Sequence, residues 1–266
     1  MSTPSQIARH FIEHRHVIWA MAIRDLQARY AGSIGGFLWA LAQPLALVTV
    51  YYFVFAVGFR AQGPQGTPFV PWFVAGLVPW LFFSETLQAI THSVIGNSHL
   101  VKKTLFPTET LPMVNLIAGL LPHAVFLLLL LGLLFGYGIS LRPERLLVVY
   151  FLSCTCLLLI GLGWVLASLQ VFFRDVGHGL SIILNIWFWV TPIVWHRELI
   201  PDTYWRLLSL NPVQYIVEGY RGVLISSDVH LPSIESTACF WGITLLLLLL
   251  GYYTFNRLKP EFPDVM

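Results

Sequence analysis

The sequence predicts an all-α integral membrane protein with six transmembrane helices. Hydrophobic residues make up 57% of the chain and charged residues 11%, whereas about a quarter of the residues of a soluble domain carry charge. The apolar residues gather in stretches that suit a helix crossing about 30 Å of hydrocarbon, which takes roughly 20 residues. Backbone groups in lipid must be satisfied within the crossing segment, and the alternating pattern of a membrane barrel is absent, so helices are expected.

The six predicted spans are separated by short connections, apart from one long outer segment. Their bounds are 34–59, 69–90, 111–135, 146–173, 177–195 and 238–255. The second span is interrupted once, by Glu85, and the fifth is shorter than the four before it and contains Pro192. Cys154, Cys156 and Cys239 fall inside spans, where cysteine acts as a small apolar residue, so we expect no disulfide framework.

Ahead of the first span, an amphipathic helix is predicted over residues 11–30, lying on the inner membrane surface. Its acidic and basic residues can face away from a shared apolar side. That apolar side is formed by Phe11, Ile18, Trp19, Ala22, Ile23 and Leu26. A lipid anchor and a docking helix both fit this pattern.

The inner loop between the second and third spans, about residues 91–109, combines apolar residues with Lys102 and Lys103. We call it the docking loop. A short helix is expected to end before Pro107, because proline disfavours helix at the residue that precedes it. On composition alone, the two lysines do no more than satisfy the preference for positive charge on the cytoplasmic side.

The outer segment, about residues 196–237, is too long for a simple connection and must have structure of its own. Helical spacing at 200–210 and 214–225, separated by Asn211-Pro212, predicts a broken hairpin that dips into the outer leaflet and returns. Irregular backbone at that depth is tolerated only beside protein or an aqueous pathway, which favours a translocation route. A flap that faces lipid is the alternative.

The distribution of Lys and Arg places both termini in the cytoplasm. In that orientation the inner segments hold nine of the 15 basic residues, including every lysine. The chain then divides into a cytoplasmic N-terminus (1–33), a transmembrane domain (34–256) and a cytoplasmic tail (257–266). No cleavable signal peptide is expected, and the protein is expected to stay in the bacterial inner membrane.

Chemical motifs point away from catalysis. No Gly-Lys dipeptide occurs, so the phosphate-binding loop of nucleotide hydrolases is absent and the chain is not expected to hydrolyse ATP. The nine histidines form no recognisable metal motif, so no catalytic residue and no metal ligand is predicted. Glu85 is the only acid well inside a span, which argues against the chain of ionisable groups found in proton pumps.

Aromatic residues are the conspicuous feature instead, with ten Trp, ten Tyr and 19 Phe. Aromatic faces can stack on the CH faces of sugars, so a pathway lined by them would suit a sliding glycan. Three of them are spaced four apart on one side of the first span, although helix packing would produce the same stripe. The predicted channel-lining residues are Trp39, Tyr51, Phe55, Phe59, Trp187 and Trp189.

A series of short motifs runs in order along residues 24–221. They are Arg24-Asp25-Leu26-Gln27-Ala28-Arg29-Tyr30, Gly36-Phe37-Leu38-Trp39, Gln43-Pro44-Leu45, Leu100-Val101-Lys102-Lys103, Phe106-Pro107, Phe173-Arg174-Asp175-Val176, Thr191-Pro192-Ile193, Asn211-Pro212 and Glu218-Gly219-Tyr220-Arg221. On a frame of six spans this ordered set resembles the permease subunits of type-2 ABC exporters for bacterial polysaccharides. The likeness is greatest to the O-antigen exporters, with capsule and teichoic-acid exporters as relatives.

The resemblance implies a homodimer that binds two separate ATP-binding subunits in the cytoplasm and exports a lipid-linked polysaccharide to the periplasm. ATP and magnesium would belong to those subunits, with no cofactor in this chain and no nucleic-acid partner. Arg24, Arg29 and Tyr30 would receive the pyrophosphate of the lipid-linked substrate. The implied docking residues are Leu100, Val101, Lys102, Lys103, Phe106, Pro107, Arg174 and Asp175, and the implied outer re-entrant turn comprises Asn211, Pro212, Glu218 and Arg221.

Two other functions remain open from the residues. One is an integral-membrane glycosyl or acyl transferase, for which the outer acids Glu198, Asp202 and Glu218 are the only candidate catalytic groups. The other is a drug or small-lipid exporter of the same permease class. Such a pump should protect cells from toxic amphiphiles without changing surface glycan.

Overall fold

The computed structural model describes residues 4–30, 35–36, 38–103, 107–140, 142–226 and 230–266. Within these ranges all regular structure is helical and no strand occurs, which confirms the all-α class. The α-helices are α1 (Pro4–Tyr30), α2 (Leu38–Tyr51), α3 (Phe69–Thr91), α4 (Ser93–Gly96), α5 (Ser98–Lys103), α6 (Leu111–Gly136), α7 (Val148–Phe172), α8 (Asp175–Val190), α9 (Asp202–Leu208), α10 (Pro212–Leu224), α11 (Ile234–Leu258) and α12 (Phe262–Val265). Short 3₁₀ turns occupy Pro64–Gly66, Thr108–Thr110, Pro143–Leu147, Arg197–Leu199 and Lys259–Glu261.

Four of the described helices, α3, α6, α7 and α11, are long and apolar enough to cross a membrane. Three of them fall within two residues of the predicted second, third and fourth spans. Helix α11 is longer than the sixth predicted span, 238–255. It begins earlier because the Ser233 hydroxyl accepts a hydrogen bond from the Ser236 amide and caps the helix. The chain is therefore a multi-pass membrane protein.

The first and fifth predicted spans are less regular. The segment predicted as 34–59 is helical from Leu38 to Gly58 in the described residues, and it changes to a π-helix over Tyr52–Gly58. The fifth span was predicted to reach residue 195, which is wrong. Helix α8 ends at Val190, because Pro192 holds Thr191 in an extended conformation and the chain turns away with Ile193 buried.

Helix α1 extends the predicted N-terminal helix back to Pro4 and packs against α6. Ile18 and Ala22 are buried against Val114 and Ala118, where the two alanines let the helices approach closely. The predicted apolar side is divided, since Trp19 and Ile23, placed on the same side by the sequence pattern, are exposed. Only part of that side faces protein, and the rest is available to lipid.

The core forms around α3, which contacts α6, α7, α8 and α10. Large rings fill it, among them the fully buried Phe73, Phe83, Phe151 and Tyr220. The two predicted outer helices are confirmed as helices, α9 and α10, with bounds within two residues of those expected. Helix α10 is inserted among α3, α7 and α11, so nearly all of its side chains are buried.

Candidate functional site

An aromatic groove lies where α2 faces α3 and α8. It contains a cavity of about 310 Å³. Its lining residues are Leu47, Tyr51, Trp80, Leu81, Ser84, Gln88, Ser181, Leu184, Asn185, Phe188 and Trp189. None of these lining side chains carries a formal charge, so the groove offers rings together with neutral hydroxyl and amide groups.

The rings continue beyond the cavity as a connected series, which we call the aromatic series. Trp80 lies 5.7 Å from Phe188, and Phe188 lies 6.1 Å from Tyr51, measured between ring centroids. Tyr51 then stacks on Phe55 at 5.7 Å, and Phe55 contacts Phe59 at the same centroid distance. The predicted neighbourhood of Tyr51, Phe55 and Phe59 is thus confirmed, even though the backbone between them is a π-helix.

The predicted channel-lining residues differ in their surroundings. Tyr51 and Phe55 are half-buried, whereas Phe59 is 72% exposed and Trp189 is 55% exposed. Trp39, at the start of α2, is also exposed. Trp187 is half-buried instead, with its ring centroid 5.3 Å from that of Phe83 in an edge-to-face arrangement and its indole nitrogen bonded to Asn211.

Asn211 joins the end of α8 to the start of α10. Its Oδ1 accepts hydrogen bonds from the Trp187 indole at 2.9 Å and from the Val213 amide at 3.0 Å, the second of which caps α10. Its Nδ2 donates to the Thr191 hydroxyl at 2.9 Å. Pro212 occupies the first position of the helix, where its missing amide costs nothing.

Arg221 ties α10 to two other parts of the chain. Its guanidinium donates to the Trp72 carbonyl at 3.2 Å, the Pro192 carbonyl at 2.6 Å and the Ile193 carbonyl at 2.7 Å. It also lies 3.7 Å from the centroid of the Trp72 ring and 3.3 Å from Glu218 Oε1. The arginine is buried, so a single side chain satisfies the two backbone acceptors that follow the end of α8 and makes a further bond to a carbonyl in the first turn of α3.

The Glu218 carboxylate lies beside the buried Arg221 guanidinium and compensates part of its positive charge. Glu218 itself is exposed and lies with Arg221 beside a second cavity of about 560 Å³.

The remaining polar contacts of α10 are also internal. The Tyr220 hydroxyl lies 3.1 Å from His123 Nε2, a buried ring nitrogen midway along α6. The Tyr215 hydroxyl lies 3.1 Å from that of Tyr150, which in turn accepts a bond from the Trp241 indole at 3.0 Å. These pairs link α10 to α6, α7 and α11.

On the opposite side of the molecule, two predicted docking elements are close in space. Gln170 is buried, and its Oε1 accepts from the Gly177 amide at 2.6 Å while its Nε2 donates to the Arg174 carbonyl at 3.2 Å. Gly177 lies against His92, at the start of the docking loop. Arg174 and Asp175 are exposed in the turn that Gln170 fixes.

Within the docking loop, α5 confirms the predicted short helix. Val101 is buried, Leu100 and Pro107 are half-buried, and Lys102 is exposed. Phe106 and the side chain of Lys103 lie outside the described residues. The loop is thus anchored through Val101 and presents Lys102 at the surface.

Of the residues predicted to meet the substrate at the inner surface, Arg24 is exposed on α1. Arg29 and Tyr30 form the end of that helix, and their side chains lie outside what the structure describes. Arg24 borders a shallow surface pocket together with His16 and Met21. The described part of α1 therefore offers Arg24 as an accessible cation, with Arg15 also exposed on the same helix.

Several residues that organise these sites were not singled out by the sequence. Trp72 and Phe262 contact residues that are distant in the chain, and Gln170 bonds the turn that follows its own helix; no local spacing announces such contacts. The one available signal was Thr191-Pro192 at the end of an apolar run, which marks a helix end. It predicted neither the buried carbonyls that follow nor the arginine that binds them.

Fold and sites together define a helical multi-pass membrane protein with an uncharged aromatic groove and a polar turn held at one end of the bundle. The chain belongs to the ABC-2 type transporter family, whose profile matches residues 16–225. This confirms the resemblance inferred from the motifs.

Similar proteins carry names from polysaccharide export. The O-antigen export system permease protein RfbA of Myxococcus xanthus is 28% identical over 264 residues, which cover 97% of this chain and 98% of that protein. RfbA of Klebsiella pneumoniae is 28% identical over 244 residues, covering 91% and 92% of the two chains. The polysialic acid transport protein KpsM of Escherichia coli is 25% identical over 240 residues, covering 88% and 92%.

Proposed function

We propose that this chain is the membrane channel subunit of an ATP-driven exporter that moves a lipid-linked, O-antigen-like polysaccharide from the cytoplasm to the periplasm. It would act in the bacterial inner membrane as a homodimer with two ATP-binding subunits. Family membership supports a transport subunit, and relatives aligned over nearly their whole length are named as O-antigen and polysialic acid transport proteins. ATP hydrolysis would then take place in the partner subunits.

The proposed topology has six crossing helices, with both termini in the cytoplasm. Besides α3, α6, α7 and α11, the crossings would be α8 and the segment formed by α2 and its π-helix. The domain limits of 1–33, 34–256 and 257–266 go with this topology. Helix α1 would lie along the inner surface, since Trp19 and Ile23 expose apolar side chains beside the face that packs on α6.

Helices α9 and α10 would form the re-entrant hairpin at the periplasmic side. The depth reached by α10 supports this. Tyr220 contacts His123, the thirteenth residue of the 26-residue α6, which lies about 20 Å from the end of that helix at a rise of about 1.5 Å per residue. A surface flap would not reach that level.

The aromatic groove is the single observation that carries the choice of substrate class. Stacked rings offer flat apolar faces to sugar rings, while Ser84, Gln88, Ser181 and Asn185 offer neutral hydrogen-bonding groups to hydroxyls. The described lining contains no charge that would hold an ion or a proton. The exposed ring of Trp189 would face the pathway, which a second copy of the chain would close.

The inner surface would receive both the substrate and the ATP-binding subunit. Exposed Arg24, with Arg29 and Tyr30 beyond it, would bind the pyrophosphate of the lipid carrier, since guanidinium groups pair well with phosphate oxygens. The docking loop and the turn at Arg174 and Asp175 would contact the ATP-binding subunit. Gln170 and Gly177 bring these two elements together.

A complementation experiment tests the proposal. A bacterial host that exports such a polysaccharide, and whose own permease gene has been deleted, would express this chain with the matching ATP-binding subunit. We expect surface polysaccharide to be restored, and to be lost when the ATP-binding subunit is absent or cannot hydrolyse ATP. Export that continues without an ATP-binding subunit, or resistance to toxic amphiphiles with no change in surface polysaccharide, would refute the proposal.

Two variants then test the groove itself. Tyr51→Ala removes a half-buried ring at the centre of the aromatic series, and we expect it to lower export while the protein accumulates normally. Phe135→Ala is the matched control, because this ring is exposed near the end of α6 and lies outside the groove. Equal export by the two variants would remove the aromatic series from the pathway.

A further inference from the structure

Residues 259–266, which we call the tail segment, fold back against the rest of the chain. The segment consists of the 3₁₀ turn Lys259–Glu261 and α12. Phe262 is fully buried, with its ring centroid 5.5 Å from that of Phe255 on α11 and 6.2 Å from that of Phe172 on α7. The tail segment is therefore part of the folded core and not a loose end.

The tail segment also holds the docking loop at two points. Lys259 Nζ forms an ion pair with Glu109 Oε2, in the 3₁₀ turn that precedes α6. Lys102 Nζ on α5 donates to the backbone carbonyl of Met266, and α12 packs against α5. One attachment lies on each side of residues 104–106, so the tail segment bridges the two described arms of the loop.

The tail segment connects α5 to helices that do not adjoin it along the chain. Helix α5 has only six residues, and such a short helix cannot keep its orientation without tertiary contacts. Along the chain, the docking loop connects only α3 and α6. Its α4 portion packs on α7 directly, and the tail segment adds a connection from α5 to α7 and α11, which meet at Phe172, Phe255 and Phe262.

We propose that the tail segment fixes the orientation of the docking loop and transmits the movement of an ATP-binding subunit from that loop to α7 and α11. The proposal rests on the function proposed above, in which the docking loop receives that subunit. Lys259 and Glu109 act as positioning residues, because they set the geometry of the loop without touching substrate or nucleotide. The coupling of ATP hydrolysis to export should therefore depend on this ion pair, whereas folding of the chain and assembly with the ATP-binding subunit should not.

A charge exchange tests the pair in the intact complex. Lys259→Glu or Glu109→Lys alone places like charges together, whereas the double variant restores an ion pair with its direction reversed. The matched control is Arg257→Glu, which makes the same charge change at the end of α11, where Arg257 contacts only Tyr253 among the described hydrogen bonds. The measurements are surface polysaccharide, the amount of ATP-binding subunit that co-purifies, and the ATPase rate of the purified complex.

We expect both single variants to keep the ATP-binding subunit and to export about fivefold less polysaccharide per ATP hydrolysed, in line with a partly exposed ion pair. The double variant and Arg257→Glu should export as the wild type does. Normal coupling in the single variants, or no recovery in the double variant, would overturn the role of the tail segment. If the wild-type chain binds no ATP-binding subunit, the proposed function itself fails, and this outcome is distinct from the other two.

Discussion

Replacing Arg221 with methionine should lower the free energy of unfolding by about 2–4 kcal/mol, because buried backbone carbonyls lose their hydrogen-bond donor. The guanidinium serves three backbone carbonyls, those of Trp72, Pro192 and Ile193. Those of Pro192 and Ile193 lie outside regular helix and would be left unpaired, and each such acceptor in the interior costs about 1–3 kcal/mol. The total is reduced because methionine fills part of the volume and because a buried cation no longer has to be desolvated.

The assay is reversible unfolding of the purified protein in detergent, followed by tryptophan fluorescence. Glu218→Gln is the matched control, since Glu218 is 46% exposed and its ion pair with Arg221 contributes about 1 kcal/mol or less. Arg221→Lys should fall between the two, because an ammonium keeps the charge and lacks the planar fork that reaches three acceptors. An Arg221→Met protein as stable as the Glu218→Gln protein would refute the role assigned to the arginine.

Three further predictions concern the packing around these sites. Gly76→Ala should destabilise the protein in the same unfolding assay, because its Cβ would lie 2.5 Å from the guanidinium above it, whereas Gly242→Ala, with nothing within 4 Å, should be neutral or slightly stabilising. Asn211→Ala should cost about 1–2 kcal/mol through loss of the helix cap and of its two side-chain bonds, with Asn211→Asp between it and the wild type; an unchanged denaturation midpoint would count against this assignment. Gln170→Leu should leave the bundle folded and weaken co-purification of the ATP-binding subunit, because the turn before Gly177 loses its buried bond; undiminished binding would show that the turn needs no such support.

The long apolar helices could be predicted because the thickness of the membrane sets how many consecutive residues must be apolar. A helix must keep about 20 apolar residues together to cross the hydrocarbon, so the bounds of α3, α6 and α7 are readable from composition alone. The end of α8 was placed wrongly, since the apolar run continues through Ile193 and Val194 after the helix has stopped. The apolar character of Ile193 and Val194 reflects their burial, and in the sequence only Pro192 indicates where the helix ends.

The candidate sites were predictable to the extent that they lie along one helix. The neighbourhood of Tyr51, Phe55 and Phe59 follows from a spacing of four residues, and the structure confirms it. Their partner Phe188 comes from another helix, whose rotation is set by packing across the whole bundle. The burial of Phe262 could not be predicted for a similar reason. Its short segment contains prolines and acidic residues and resembles a solvated tail, and only the contact with Phe172 on α7 shows otherwise.

Helix α8 is fastened at both ends to parts of the molecule that lie far apart. Gln170 holds its first turn beside Arg174, and Asn211 holds its last turn through Trp187 and Thr191. Between these points run 16 residues of uninterrupted helix, a stiff rod about 24 Å long at a rise of about 1.5 Å per residue. A tilt imposed on the first turn of α8 should therefore move the start of α10 in the same motion, because the helix between the two attachments contains no flexible loop to absorb it.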